Sequence, residues 1–212
     1  MNTSASAPAS LEPGTGPWLR QARLARSLAW LSLAYMTAEG AIAVAAAIAA
    51  GSVALLGFGL DSGIEAAASI TVLWRLTGSR TLSETAERRA QIAVAVTFFL
   101  LAPYIAADAI RVLVSGEHPA TSWPGIAVAA ASLIVMPLLG TAKKRIGIQL
   151  GSAAVTSEGA ENILCAATAA AVLAGLAANS GLGWWWLDPA IALGIAALAI
   201  KEGREALEGD EG

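Results

Sequence analysis

The chain has 212 residues, 56% of them hydrophobic and only 14% charged, with a mean hydropathy of +0.64, against roughly 25% charged residues in a soluble domain. This excludes an ordinary soluble fold and makes the chain an integral membrane protein of the all-α class. The net charge of -3 carries little by itself, and the lone cysteine, Cys165, excludes an intrachain disulfide and any CxxC site.

Residues 1–17 read as a disordered polar arm, rich in Ser, Ala, Pro and Gly and lacking a signal peptide's apolar stretch. Six apolar runs follow at about 26–50, 53–76, 90–114, 123–142, 150–177 and 184–201, most of them near the roughly 20 residues that a spanning helix needs. A domain of six transmembrane helices is expected over 18–205, closed by a short acidic tail at 206–212. Gly51-Ser52 is the only break between the first two runs; they are split because one helix of that combined length cannot fit a bilayer.

Basic residues set the expected orientation. Arg20, Arg23 and Arg26 precede span one, and Arg75, Arg80, Arg88 and Arg89 lie between spans two and three. Lys143, Lys144 and Arg145 lie between spans four and five, and Lys201 and Arg204 follow span six. Of thirteen basic residues only Arg111 falls on the other side, so the positive-inside rule makes both termini cytoplasmic. Trp123 and the run Trp184, Trp185 and Trp186 then fall at the outer interface, where aromatic belts sit.

Acidic residues inside apolar runs cost about 2.5 to 3.5 kcal/mol each on insertion scales, so several together ask for a purpose. Here they are Glu39 in span one, Asp61 and Glu65 in span two, Asp108 in span three, and Glu158 and Glu161 in span five. Aligning Gly51-Ser52 with Gly151-Ser152 places Asp61 on Glu161 and Glu65 on Cys165. Each pair is spaced i,i+4, one turn apart on one helix face, which is half of a metal site. Glu158, Glu161, Asn162 and Cys165 share one face of span five. At 1.5 Å per residue, Glu65 lies roughly 18 Å below the outer surface and Glu161 roughly 16 Å above the inner one, so the two motifs meet near the midplane.

This plan resembles the transmembrane domain of the cation diffusion facilitators, in the short branch that includes vertebrate transmembrane protein 163. The resemblance rests on `GFGLDSGIE` at 57–65 and `VLWRL` at 72–76, with paired ligands on spans two and five. It implies a proton-coupled, homodimeric exporter of divalent metals. The family's span-two ligands match Asp61 and Glu65, its span-five His and Asp match Glu161 and Cys165, and the Asp three residues earlier matches Glu158. No span contains a histidine, and a thiol replaces a carboxylate. Carboxylates favour harder ions such as Mn²⁺, whereas a thiolate draws Zn²⁺. Zn²⁺ is the expected cargo, with Mn²⁺, Co²⁺, Fe²⁺ and Cd²⁺ as alternatives.

The expected mechanism places a partly dehydrated cation between spans two and five, held by Asp61, Glu65, Glu161 and either Cys165 or Glu158. Empty carboxylates in a low-dielectric site take up protons that metal displaces, giving exchange, and rocking of the helices exposes the site alternately to each side. Glu39 completes the site, relays protons or bonds a neighbouring helix, and Asn162 stands beside the ligands. Asp108 with Arg111 reads as an interfacial ion pair, His118 as a solvated loop residue, and `KKR` at 143–145 as topological charge. No cytoplasmic metal-binding domain is expected after Lys201, so a homodimer is expected to rest on the helices. Neither an organic cofactor nor a nucleic-acid partner is expected, and a bacterial inner membrane is the expected location. A metal sensor or scaffold without transport, a carrier of another cationic solute, and an enzyme acting on lipid phosphate are the rival classes.

Overall fold

A computed structural model describes residues 11, 12, 14–75 and 84–208. Residues 1–10 and 13 of the expected arm, residues 76–83 with Arg80, and the tail from 209 lie outside the described residues. The described chain forms six helices: α1 (Gly16–Ala50), α2 (Val53–Arg75), α3 (Glu84–Ser115), α4 (Trp123–Leu150), α5 (Ala153–Leu182) and α6 (Leu187–Glu208). Among the described residues there is no strand, and four helices, α1, α2, α4 and α5, are long and apolar enough to cross a membrane.

Local chemistry sets the helix ends. Gly51 (φ 69°), Gly151 (φ 62°) and Gly183 (φ 69°) end α1, α4 and α5 in the left-handed conformation that glycine adopts without a Cβ clash. Pro17 and Pro124 stand in the first turns of α1 and α4, where a missing N–H costs nothing. Ser122 Oγ accepts from Gly125 N at 3.2 Å, capping α4.

Helices α1 and α2 pack as one hairpin, α4 and α5 as another, and α3 pairs with α6. The two hairpins meet through α1 against α4 and α2 against α5, while α2 also touches α3 and α6. Hydrogen bonds tie the helix ends into two faces. On one, Asp188 at the start of α6 accepts from Val53 N (2.9 Å) and Ala54 N (3.2 Å) at the start of α2. On the same face Ala120 N donates to Ala50 O (2.7 Å), and Asn179 Nδ2 to Pro119 O (2.7 Å). Trp123, Trp184 and Trp186 are exposed there. On the other face Leu11 N donates to Gln149 O at 2.8 Å, and Arg20, Arg23, Arg26, Lys144, Arg145, Lys201 and Arg204 are exposed. One end of the bundle is therefore aromatic and the other basic.

The hairpins are repeats. Buried positions on α1 are 25, 29, 32, 36, 39, 40, 43, 46, 47 and 50, and those on α4 are the same numbers raised by one hundred. A Cβ on Gly40 would meet Gly59 O at 2.9 Å, and one on Gly140 would meet Gly159 O at 2.7 Å. Both hairpins thus close by glycine contact of backbone on backbone, as small residues allow between membrane helices. Helix α1 runs towards the aromatic face and α4 away from it, so the repeats are inverted about an axis across the bundle.

One reading of the sequence is corrected here. The `KKR` triplet at 143–145 lies within α4, which continues to Leu150, and not in a loop between spans. Lys144 and Arg145 are exposed, but Lys143 continues the buried stripe of Met136, Leu139 and Gly140 and is fully buried. It is therefore no surface charge. The expected Asp108–Arg111 pair is present (2.8 Å), and Arg111 also reaches Glu117 at 3.2 Å. His118 is exposed and stacks on Trp185, with ring centroids 5.0 Å apart.

Candidate metal centre

The turn after each repeat's first helix fixes the depth of its acidic residues. Asp61 and Glu161 each lie eight residues into α2 and α5, about 12 Å from their own turns. Those turns are at opposite faces, so the antiparallel pair brings the two motifs to one level. Asp61, Glu65 and Glu161 line a cavity of about 20 Å³, completed by Leu164 of α5 and by Ile195, Leu198 and Ala199 of α6. A space of this size holds one ion or one water. Among the described residues no three His, Cys, Asp or Glu side chains close into a ready metal cluster, so the three carboxylates share a wall without converging on one point.

Glu65 is the buried member of the set, and its Oε2 has no hydrogen-bond partner. It lies within electrostatic reach of Asp61, Glu161 and Glu39. Cys165 is 1% exposed, with Sγ beside the Glu65 carboxylate and 4.0 Å from Glu39 Oε1. The thiol thus bridges the cavity and a second polar group deeper in the bundle.

That group centres on Glu39. Its Oε1 accepts from Ser62 Oγ at 2.7 Å, and Tyr35 and Ser132 stand beside it at geometry short of a hydrogen bond to Oε2. Ser132 Oγ and both amide atoms of Asn162 are buried without partners. A buried orphan polar group costs about 1 to 3 kcal/mol, and Glu39 Oε2, Ser132 Oγ and the Asn162 amide carry that cost away from the cavity wall.

Glu158 stands apart from the cavity wall. Its Oε1 accepts from Ser69 Oγ at 2.6 Å and lies 2.7 Å from Lys143 Nζ, an ion-pair distance although the ammonium is not aligned as a hydrogen-bond donor. The structure thus gathers Asp61, Glu65 and Glu161 at one cavity, with Cys165 and Glu39 behind Glu65. It places Glu158 one turn towards the basic face, beside a cation.

Sequence reasoning missed Lys143, Ser62, Ser69 and Asp188. Lys143 was readable from its place three residues after Gly140 and three before Ile146 in a stripe that packs inward. Asp188 was readable as an acid followed by proline at a helix start. The two serines carry no sequence signal, because a hydroxyl in an apolar helix is common.

The sequence pattern of the cation efflux transmembrane domain matches residues 29–208. A protein of Synechocystis sp. named an uncharacterized transporter is 28% identical over 194 residues, covering 88% of this chain and 63% of its own length. The chain therefore spans less than two thirds of that relative. The matched domain and the four apolar helices describe a multi-pass membrane protein. With that domain covering most of its length, the chain belongs to the cation efflux family.

Proposed function

We propose that the protein carries divalent metal cations, zinc foremost, across a membrane by exchange for protons, through a site between α2 and α5. Family membership and the transporter relative favour a carrier over an enzyme. The observation that carries the reading is the ion-sized cavity walled by Asp61, Glu65 and Glu161, with Cys165 behind it. Three acids supply charge for a dication, and the thiol adjacent to Glu65 favours zinc over harder ions. Glu39, one thiol away, is positioned to relay the protons that metal displaces.

In this reading all six helices span, both termini are cytoplasmic by the basic face, and the membrane is a bacterial inner membrane. Two copies associate through the helices. The inverted hairpins supply alternating access around a fixed site, as inverted repeats do in other carriers.

The test is reconstitution in liposomes holding a zinc-sensitive dye, under an imposed pH gradient, with Asp61→Asn and Glu65→Gln at matched insertion. Proton-driven zinc flux lost in both variants supports the exchanger. Flux for manganese but not zinc keeps the mechanism and overturns the metal. Binding with no flux of any divalent ion would replace the carrier with a metal sensor.

A further inference from the structure

We infer that Lys143 is a tethered cation sealing the route between the acidic cavity and the basic face, in partnership with Glu158 and Ser69. The inference rests on the transport reading for its purpose, but its geometry stands alone. Ser69 is four residues beyond Glu65 on α2, and Glu158 three residues before Glu161 on α5. Both therefore sit one helical turn from the cavity on the same side, towards the basic face. Lys143 of α4 places its ammonium 2.7 Å from Glu158, and Ser69 bonds the same carboxylate oxygen at 2.6 Å. The three residues join α4, α5 and α2 across the line from cavity to surface. Their side chains are out of solvent: Lys143 is 0% exposed and Glu158 3%.

A dication approaching from the basic face meets this ammonium before it reaches a carboxylate of the cavity. In a low-dielectric bundle that repulsion is far stronger than in water. The seal is also electrostatically openable, since a cation competes with Lys143 for Glu158.

The inverted repeat shows that the seal is a specific device. Shifted by one hundred, the counterparts of Lys143, Glu158 and Ser69 are Ala43, Phe58 and Ala169. Ala43 and Phe58, on the aromatic side of the cavity, are each 0% exposed and belong to the apolar core. The same fold thus closes one end with a phenyl ring and the other with an ion pair.

Cys165 reports on the seal, because it is the chain's only thiol, sits behind Glu65 and is 1% exposed. Membrane vesicles are exposed on one side at a time to a membrane-impermeant maleimide. Lys144→Cys in a Cys165→Ala background marks the side that carries the basic face. Wild-type Cys165 is expected to react slowly from either side. Lys143→Gln is expected to react at least about tenfold faster from the basic side alone, as the sealed population falls. The exchange Lys143→Glu with Glu158→Lys is expected to return labelling to the slow rate. Unchanged labelling in Lys143→Gln overturns the seal. So does acceleration from both sides, which reports loss of packing. Labelling does not depend on flux: the expected pattern in a protein that moves no metal keeps the seal and removes the carrier reading, whereas normal flux with flat labelling removes the seal alone.

Discussion

The α1–α2 and α4–α5 hairpins share turn, glycine contact and buried stripe position for position, yet they differ in what they bury. The first places Glu39 against Ser62, with Ala43 and Phe58 nearer its turn; the second has buried Leu139 and Asn162 at the equivalent positions, with Lys143 and Glu158 nearer its turn. Backbone geometry is thus duplicated while polarity is redistributed. The shared part brings the acidic cavity to the level where the repeats cross. The unshared part makes the two ends of the bundle chemically different.

Removing a carboxylate from either repeat is the strongest way to break this comparison. Glu65→Gln in one and Glu161→Gln in the other should each lower zinc flux by more than about 100-fold, above the loss seen for residues that only support a ligand. Equal losses at matched insertion fit a site shared across the repeats, and a normal Glu161→Gln would confine it to α2.

Copying one hairpin's seal into the other comes next. Lys143→Ala with Glu158→Phe reproduces Ala43 and Phe58, replacing a buried ion pair by packed apolar groups. Such exchanges are often neutral or stabilising by about 1–4 kcal/mol. The variant should be no less stable in thermal unfolding in detergent, keep Cys165 protected, and load zinc more slowly from the basic face. Unchanged or faster loading would mean that the ion pair does not open by competition for Glu158.

The glycine contacts sharpen the shared half. Gly159→Ala puts a Cβ 2.6 Å from Lys144 N and 2.8 Å from Gly140 O, both backbone atoms. Gly59→Ala meets Val44 N and Val44 Cγ2 at 2.9 Å. Overpacking of this kind costs about 1–3 kcal/mol, and the α5 variant should lose more in thermal unfolding because only backbone can yield there. A smaller effect, about 1 kcal/mol, is expected for Asp188→Asn, which weakens the acceptor at the start of α2 while leaving one oxygen in place. Arg111→Ala should change neither unfolding nor flux measurably, since its pairs with Asp108 and Glu117 are at an exposed helix end.

Much of the site was legible because charge in an apolar run is conspicuous. Asp61, Glu65 and Glu161 stood out, and the one-hundred-residue offset of the Gly-Ser pairs already set their registers side by side. Glu158 was conspicuous for the same reason, but its partner was not. A lysine beside two other basic residues reads as an interfacial charge, and only the extension of α4 to Leu150 turns its side chain inward. Ser62 and Ser69 were illegible since their roles depend on which helix faces them.

By itself the sequence determined that the chain is helical and apolar, that six runs alternate with turns, and that acids lie at helical spacing within them. These are consequences of composition and of periodicity along one chain, which local physics reads directly. Tertiary structure alone decided that the hairpins are inverted copies, that α6 closes the cavity through Ile195, Leu198 and Ala199, and that Lys143 meets Glu158 and not solvent. Each of those depends on contacts between helices distant in sequence. In a bundle whose surfaces are almost uniformly apolar, hydrophobic pattern does not choose partners; close glycine contacts and a few buried polar pairs do.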